Sequence, residues 1–127
     1  MSRILLYNIH GDKLAKIRAA ASLLGLTLIE VSEEEFSHPI GYVLGYEDFT
    51  PSETAESFPD EMLVMETLTS PLLDAMRRNG ATVALKAVVT EQNQGWSGAA
   101  LCRELRREHE AMRAYASQKP VHKHKKK

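Results

Sequence analysis

Two runs of four consecutive residues, Ile4-Leu5-Leu6-Tyr7 and Met62-Leu63-Val64-Met65, present a bulky hydrophobic side chain at every position. Strand side chains alternate between faces, so runs of this kind fit strands covered on both sides. Two of them in a chain of 127 residues call for helices above and below one sheet. The first run is followed by Leu14, Ile17, Ala21 and Leu24, spaced by three or four residues, with Lys13, Lys16, Arg18 and Ser22 off that stripe. That period is an amphipathic helix. Asp12 is expected to cap its start, and Gly25 to end it in the left-handed conformation. Leu26 to Val31 reads as a second strand, mixed in polarity and suited to an edge.

Glu61 to Met65 opens a second unit of the same pattern. Ser70-Pro71 predicts a helix start, because proline in the first turn gives up an N–H that has no helical partner there. Leu72, Leu73 and Met76 supply the stripe, Asn79-Gly80 the stop, and Thr82 to Thr90 a long strand with Val83, Leu85, Ala87 and Val89 on one face. The predicted organisation is one domain over 1–117, built from β-α-β-like units at 3–31 and 61–90 joined by an acidic segment, 32–60. Within that segment Ser37 to Gly45 reads as a short helix and Tyr46 to Asp60 as an exposed loop. Ser97 is placed to cap a long helix reaching about Ser117, with Leu101, Leu105, Met112 and Ala116 as its buried stripe. Residues 118–127 are basic, lack core-forming content and are expected to be disordered.

The fold class is therefore α/β: a four-stranded parallel sheet of order 2-1-3-4 with packed helices and a long C-terminal helix. The length of the 32–60 connection favours a crossover over a hairpin. A ferredoxin-like split β-α-β sheet is the alternative.

Charge is strongly segregated. Met1 to Arg18 carries +3, Ala19 to Met76 carries −12 without a single Lys or Arg, and Arg77 to Lys127 carries +8. The acidic middle is expected either to neutralise the basic parts within the fold or a homo-oligomer, or to engage a charged partner. No run reaches the ~18 apolar residues of a membrane span, so no membrane association is expected. The short apolar run at the start does not read as a signal peptide. The lone Cys102 leaves no internal disulfide and fits a cytoplasmic location.

Motifs for chemistry are sparse. The turn Asn8-Ile9-His10-Gly11-Asp12 has one glycine and matches no dinucleotide or P-loop pattern, and no cofactor is expected. His10, His38 and His109 lack metal-ligand spacing, so no metal site is expected. His109 lies about 10.5 Å along a helix from Cys102, too far to activate it. Were the sheet parallel, Asn8, His10, Glu66, Thr67, Thr90 and Asn93 would gather beyond the carboxyl ends of its strands, where open α/β sheets bind ligands. His10 and Glu66 are then the catalytic candidates for acid–base work. Asn8, Thr67, Thr90, Asn93 and Trp96 are the ligand-binding candidates. Structural roles compete with these: Trp96 as a hydrophobic staple before Ser97, Asn93 as a turn residue, Lys86 reaching from an apolar strand to solvent or a carboxylate.

The run Leu85-Lys86-Ala87-Val88-Val89-Thr90, then Asn93 and Trp96, then a helix passing Glu108-His109-Glu110, resembles a family of small bacterial domains of uncharacterised function. The resemblance spans Met62 to Met112 and more weakly Leu5–Tyr7 and Ile40–Gly45, and it implies no activity, cofactor or substrate. The expected function is a non-enzymatic cytosolic binding or regulatory module. The alternatives are a small enzyme using His10 and Glu66, and weak, sequence-indifferent nucleic-acid binding through the basic tail. The second is disfavoured by a pI near 6.5 and the absence of stacking aromatics in the tail.

Overall fold

A computed structural model describes residues 2–124, with side chains described through 116. The strands are β1 (Arg3–Tyr7), β2 (Thr27–Glu30), β3 (Met62–Met65) and β4 (Leu85–Val88). The helices are α1 (Gly11–Leu24), α2 (Ile40–Val43), α3 (Ser70–Arg78) and α4 (Gly98–His124). One sheet has the order β2-β1-β3-β4, as the two apolar runs at its centre require. β2 lies parallel to β1 and β4 parallel to β3, but the central pair β1–β3 is antiparallel, with Leu5 opposite Val64. Each β-α-β unit is thus internally parallel, and the two face opposite ways.

The alternation of the central strands divides the core into two layers. Ile4, Leu6, Leu63 and Met65 point to one face, where they meet Leu14, Ile17 and Ala20 of α1 and Leu72 and Met76 of α3. Leu5, Tyr7, Met62 and Val64 point to the other, beneath Phe36, Ile40, Phe58, Leu101 and Cys102. Burying each large apolar side chain contributes about 1.5–3 kcal/mol, so the central strands anchor both layers. On the second face the rings of Tyr7, Phe36 and Phe58 lie 4.6–5.7 Å apart, centroid to centroid.

Several local expectations shift. α1 starts at Gly11 with His10 in the cap position, and Asp12 lies inside the first turn, paired with Lys16 instead of capping. Ala20 takes a buried place on α1, whereas Leu24 is exposed. α3 begins at Ser70, so Thr69 holds the cap position and Pro71 the second helical one. The long strand expected from Thr82 shortens to β4, because Val83 turns into the α1/α3 layer while Leu85 packs in the other. Ser97 caps α4 as expected, its Oγ accepting the Ala100 N–H at 3.0 Å. The α4 backbone continues to His124, past the boundary expected near Ser117, so 118–124 is helical where disorder was expected. Met112 and Ala116 are exposed there and not buried, because the body of the domain ends near Leu105. Of the expected tail 118–127, the last three residues, 125–127, lie outside the described residues.

Candidate functional site

The antiparallel centre of the sheet decides which polar residues can meet. β1 delivers Asn8 and His10 to one end of the sheet, whereas β3 and β4 deliver Glu66, Thr67, Thr90 and Asn93 to the other. Glu66 follows Met65, the partner of Ile4, and His10 follows Tyr7, the partner of Met62. Four residues of strand at ~3.3 Å each put roughly 13 Å between these ends. His10 and Glu66 therefore do not converge, and the expected acid–base pair does not form. A fully parallel sheet would have joined them.

At the β3 end, Glu66 is saturated by structural bonds. Its Oε1 accepts from Arg3 Nε at 2.9 Å and from the Arg3 backbone N–H at 3.2 Å. Its Oε2 accepts from Arg3 Nη2 and from the Tyr46 hydroxyl, both at 2.7 Å. Arg3 Nη1 donates to the Leu44 carbonyl at 2.7 Å. The guanidinium beside it, with the Tyr46 hydroxyl, holds the Glu66 carboxyl down at about 2. So weak a base, with its lone pairs occupied, is a poor proton acceptor. The cluster joins the start of β1, the end of β3 and the turn after α2. Because the folded value lies below the ordinary 4.5, this contribution to stability is complete above that pH and is lost as pH falls towards 2. Glu66→Gln is expected to cost about 1–2 kcal/mol at neutral pH, the partly solvated edge screening the pair. Its deficit against the wild type should shrink in urea melts taken from pH 5 down to ~2.5. A deficit that does not change with pH would contradict this role.

At the opposite end, Asn8 has a left-handed backbone (φ 61°), a conformation asparagine tolerates better than most residues. Its side-chain amide donates to the carbonyls of Phe58 at 2.7 Å and Asp60 at 2.9 Å. Nearby, Lys13 pairs with Glu61 at 2.6 Å and Arg106 with Asp60 at 2.5 Å. Asn8 thus closes the acidic loop over the β1 end. His10 is exposed. Thr67 offers its carbonyl to the hydroxyls of Ser2 and Thr69.

Asn93 and Thr90 form one unit on the outer edge of β4. Val89 donates its backbone N–H to Met65 of β3, so Val88 and Thr90, one residue either side, direct their main-chain groups outward. Asn93 occupies them: its Nδ2 donates to the Val88 carbonyl at 3.1 Å and its Oδ1 accepts the Thr90 N–H at 2.8 Å. The Asn93 N–H in turn donates to Thr90 Oγ1 at 3.0 Å. Trp96 is half-buried against the core that includes Leu101, the arrangement of a staple at the start of α4. Lys86 reaches the Val83 carbonyl at 2.7 Å. The amide of Asn93, read as a ligand-binding candidate, is thus spent on the strand edge.

Residues 61–112 match the family model for a domain of unknown function, DUF3783. The segment runs from the entry to β3 to the exposed part of α4, and so contains the β4 strand, the Asn93 clasp, the Trp96 staple and the α4 cap. This agrees with the resemblance carried by the Leu85–Thr90 run, Asn93 and Trp96. No curated protein and no solved structure matches the chain.

Two features escaped sequence reasoning. Arg3 and Tyr46 were not singled out, although a lone basic residue opening an otherwise apolar strand signals a nearby carboxylate. The second is a surface groove of about 470 Å³ between α1 and α3, lined by Ala19, Ala20, Leu23, Leu24, Pro71 and Ala75, with Asp74 and Arg78 at its margin. Leu23, standing off the predicted stripe of α1, is 88% exposed beside it. Among the described residues no helix is long and apolar enough to cross a membrane, and no group of three or more His, Cys, Asp or Glu residues is placed to hold a metal.

Proposed function

We propose that the domain is a non-enzymatic cytoplasmic binding module that takes an amphipathic helical segment of a partner protein into the α1/α3 groove. The observation that carries this reading is Leu23, almost fully exposed beside Leu24 at a concave apolar surface between two helices. Grooves between helices recognise partner helices through apolar anchors three or four residues apart. Ala19, Ala20 and Ala75 keep the floor shallow, and Asp74, which pairs with Arg77, and Arg78 supply a polar margin. The charge distribution supports a protein partner over nucleic acid. Arg103 and Arg106 of α4 pair with Glu56 and Asp60 of the acidic segment, and Arg107 pairs with Glu104. The buried Cys102, its thiol pushed up by burial, is compatible with a reducing compartment.

A displayed library of amphipathic peptides provides the test. Binders are expected to show apolar residues at i, i+3/i+4 and i+7, and to lose at least tenfold in affinity against Leu23→Glu. Binders unaffected by Leu23→Glu, or reproducible catalytic turnover lost in His10→Ala, would overturn the reading.

A further inference from the structure

The two edges of the sheet are treated differently. On β4 the outward main-chain groups of Val88 and Thr90 are taken by Asn93, and a lysine, Lys86, stands on the strand. Both are devices that keep an edge strand from pairing with another chain. On β2, the other edge, no side chain among the described residues takes the outward main-chain groups of Leu28 and Glu30, and its one charge, Glu30, is neutralised by Arg18. Thr27 and Val31 donate their N–H groups inward, to Ser2 just before β1 and to Leu6 of β1, so the period of two turns the N–H and C=O of Leu28 and Glu30 outward. Among the described residues no hydrogen bond engages those outward N–H groups. The strand is also only half covered: Leu28 packs against the α1/α3 layer and Ile29 against the opposite one, each partly buried.

We infer that β2 pairs antiparallel with β2 of a second copy across a two-fold axis through Ile29, making one continuous eight-stranded sheet. In this register Leu28 faces Glu30 of the partner and exchanges both main-chain bonds with it, and the symmetry repeats the pair, giving four bonds in all. The two Ile29 side chains then meet at the axis in the closer, non-hydrogen-bonded position, which extends the apolar layer from one copy into the next. Charge favours a second copy over an unlike chain. Arg18 pairs with Glu30 beside the edge, so each copy brings one cation and one anion to the same face and the joined edge is neutral. A lone acidic or basic strand laid there would leave one of them uncompensated. Four residues of strand bury little area, so this is an interface of the small, exchanging class. It is independent of the α1/α3 groove and of the partner proposed for it.

Proline tests the pairing selectively. Glu30→Pro removes an N–H that faces away from β1, so the monomer's own sheet bonds remain, as proline on the open side of an edge strand allows. Glu30→Gln keeps that N–H and removes only the charge. By sedimentation at ~100 μM, in the regime of a weak interface, the wild type and Glu30→Gln are expected to contain dimer. Glu30→Pro is expected to be a monomer with an unchanged circular dichroism spectrum. If Glu30→Pro fails to fold, hydrogen exchange on the wild type decides: slowing of the Leu28 and Glu30 amides with rising concentration supports the pairing. A wild-type monomer at this concentration, a dimer that survives the proline, or outward amides that exchange at a concentration-independent rate would each overturn it.

Discussion

Gly98→Ala is expected to destabilise the domain by about 2–3 kcal/mol, although alanine is the better helix former. A β-carbon at position 98 would lie 2.6 Å from Cε2 of Tyr7 and 3.0 Å from its Cζ. The ring cannot retreat, because it is fully buried with Phe36 and Phe58 close on it and is carried by the central strand β1. Nor can α4 lift away easily: the Ala99 N–H donates to the Phe36 carbonyl at 3.0 Å, and Pro39 bridges to Ser97. The first turn of α4 and the β1 ring therefore compete for one volume, which only glycine leaves free. Urea melts of Gly98→Ala, alone and in a Tyr7→Leu background, check this. The smaller side chain makes room, so the alanine should cost at least ~1 kcal/mol less there. A Gly98→Ala protein within ~0.5 kcal/mol of wild type would show that α4 is not held against the ring. Tyr7→Phe probes the same contact from the other side. The Tyr7 hydroxyl is buried without a hydrogen-bond partner among the described residues. Burial without a partner disfavours a polar group, so its removal should leave stability unchanged or raise it by up to ~1 kcal/mol.

Most of the architecture was legible because it rests on local patterns. The two apolar runs placed β1 and β3 at the centre, and Leu14, Ile17, Leu72 and Met76 marked helices that bury those residues. Gly25 ended α1 in the left-handed conformation, and Ser97 capped α4. The relative direction of β1 and β3 was not legible, because a 29-residue link constrains reach and not polarity. That single unknown moved Glu66 away from His10 and into the hands of Arg3. The exposure of Met112 was equally hidden: its spacing continues the stripe of Leu101 and Leu105, but a helix pattern does not reveal where the neighbouring sheet stops. The charge blocks left internal pairing and a charged partner open, and the ion pairs of the fold supply the first. Arg3, Lys13 and Arg18 at one end of the sequence and Arg103 and Arg106 at the other all find carboxylates between Glu30 and Glu66.

Asn93→Ala is expected to cost about 2–4 kcal/mol, more than the loss of a surface turn residue, which is usually within ~0.5 kcal/mol. Asn93 is only 9% exposed, and its amide completes two main-chain groups of β4 that no neighbouring strand reaches. Alanine leaves the Thr90 N–H and the Val88 carbonyl without their partner at a part-buried strand edge, and each loss costs about 1–3 kcal/mol. The turn at Asn93–Gly95 hangs on the same amide and feeds Trp96 into the start of α4, so the damage should extend into the helix. Asn93→Asp separates the two bonds. It keeps the acceptor for Thr90 but puts a carboxylate oxygen against the Val88 carbonyl, and it should therefore fall at least as far as alanine. Asn93→Ser, too short to span both groups, should not recover the loss. An open β4 edge is also a strand-pairing template, so Asn93→Ala should grow with time and concentration into assemblies larger than any dimer the wild type forms. Denaturant melts paired with light scattering read both effects. If Asn93→Ala keeps wild-type stability, the clasp is not what closes the β4 edge, and the contrast with the open β2 edge loses its basis.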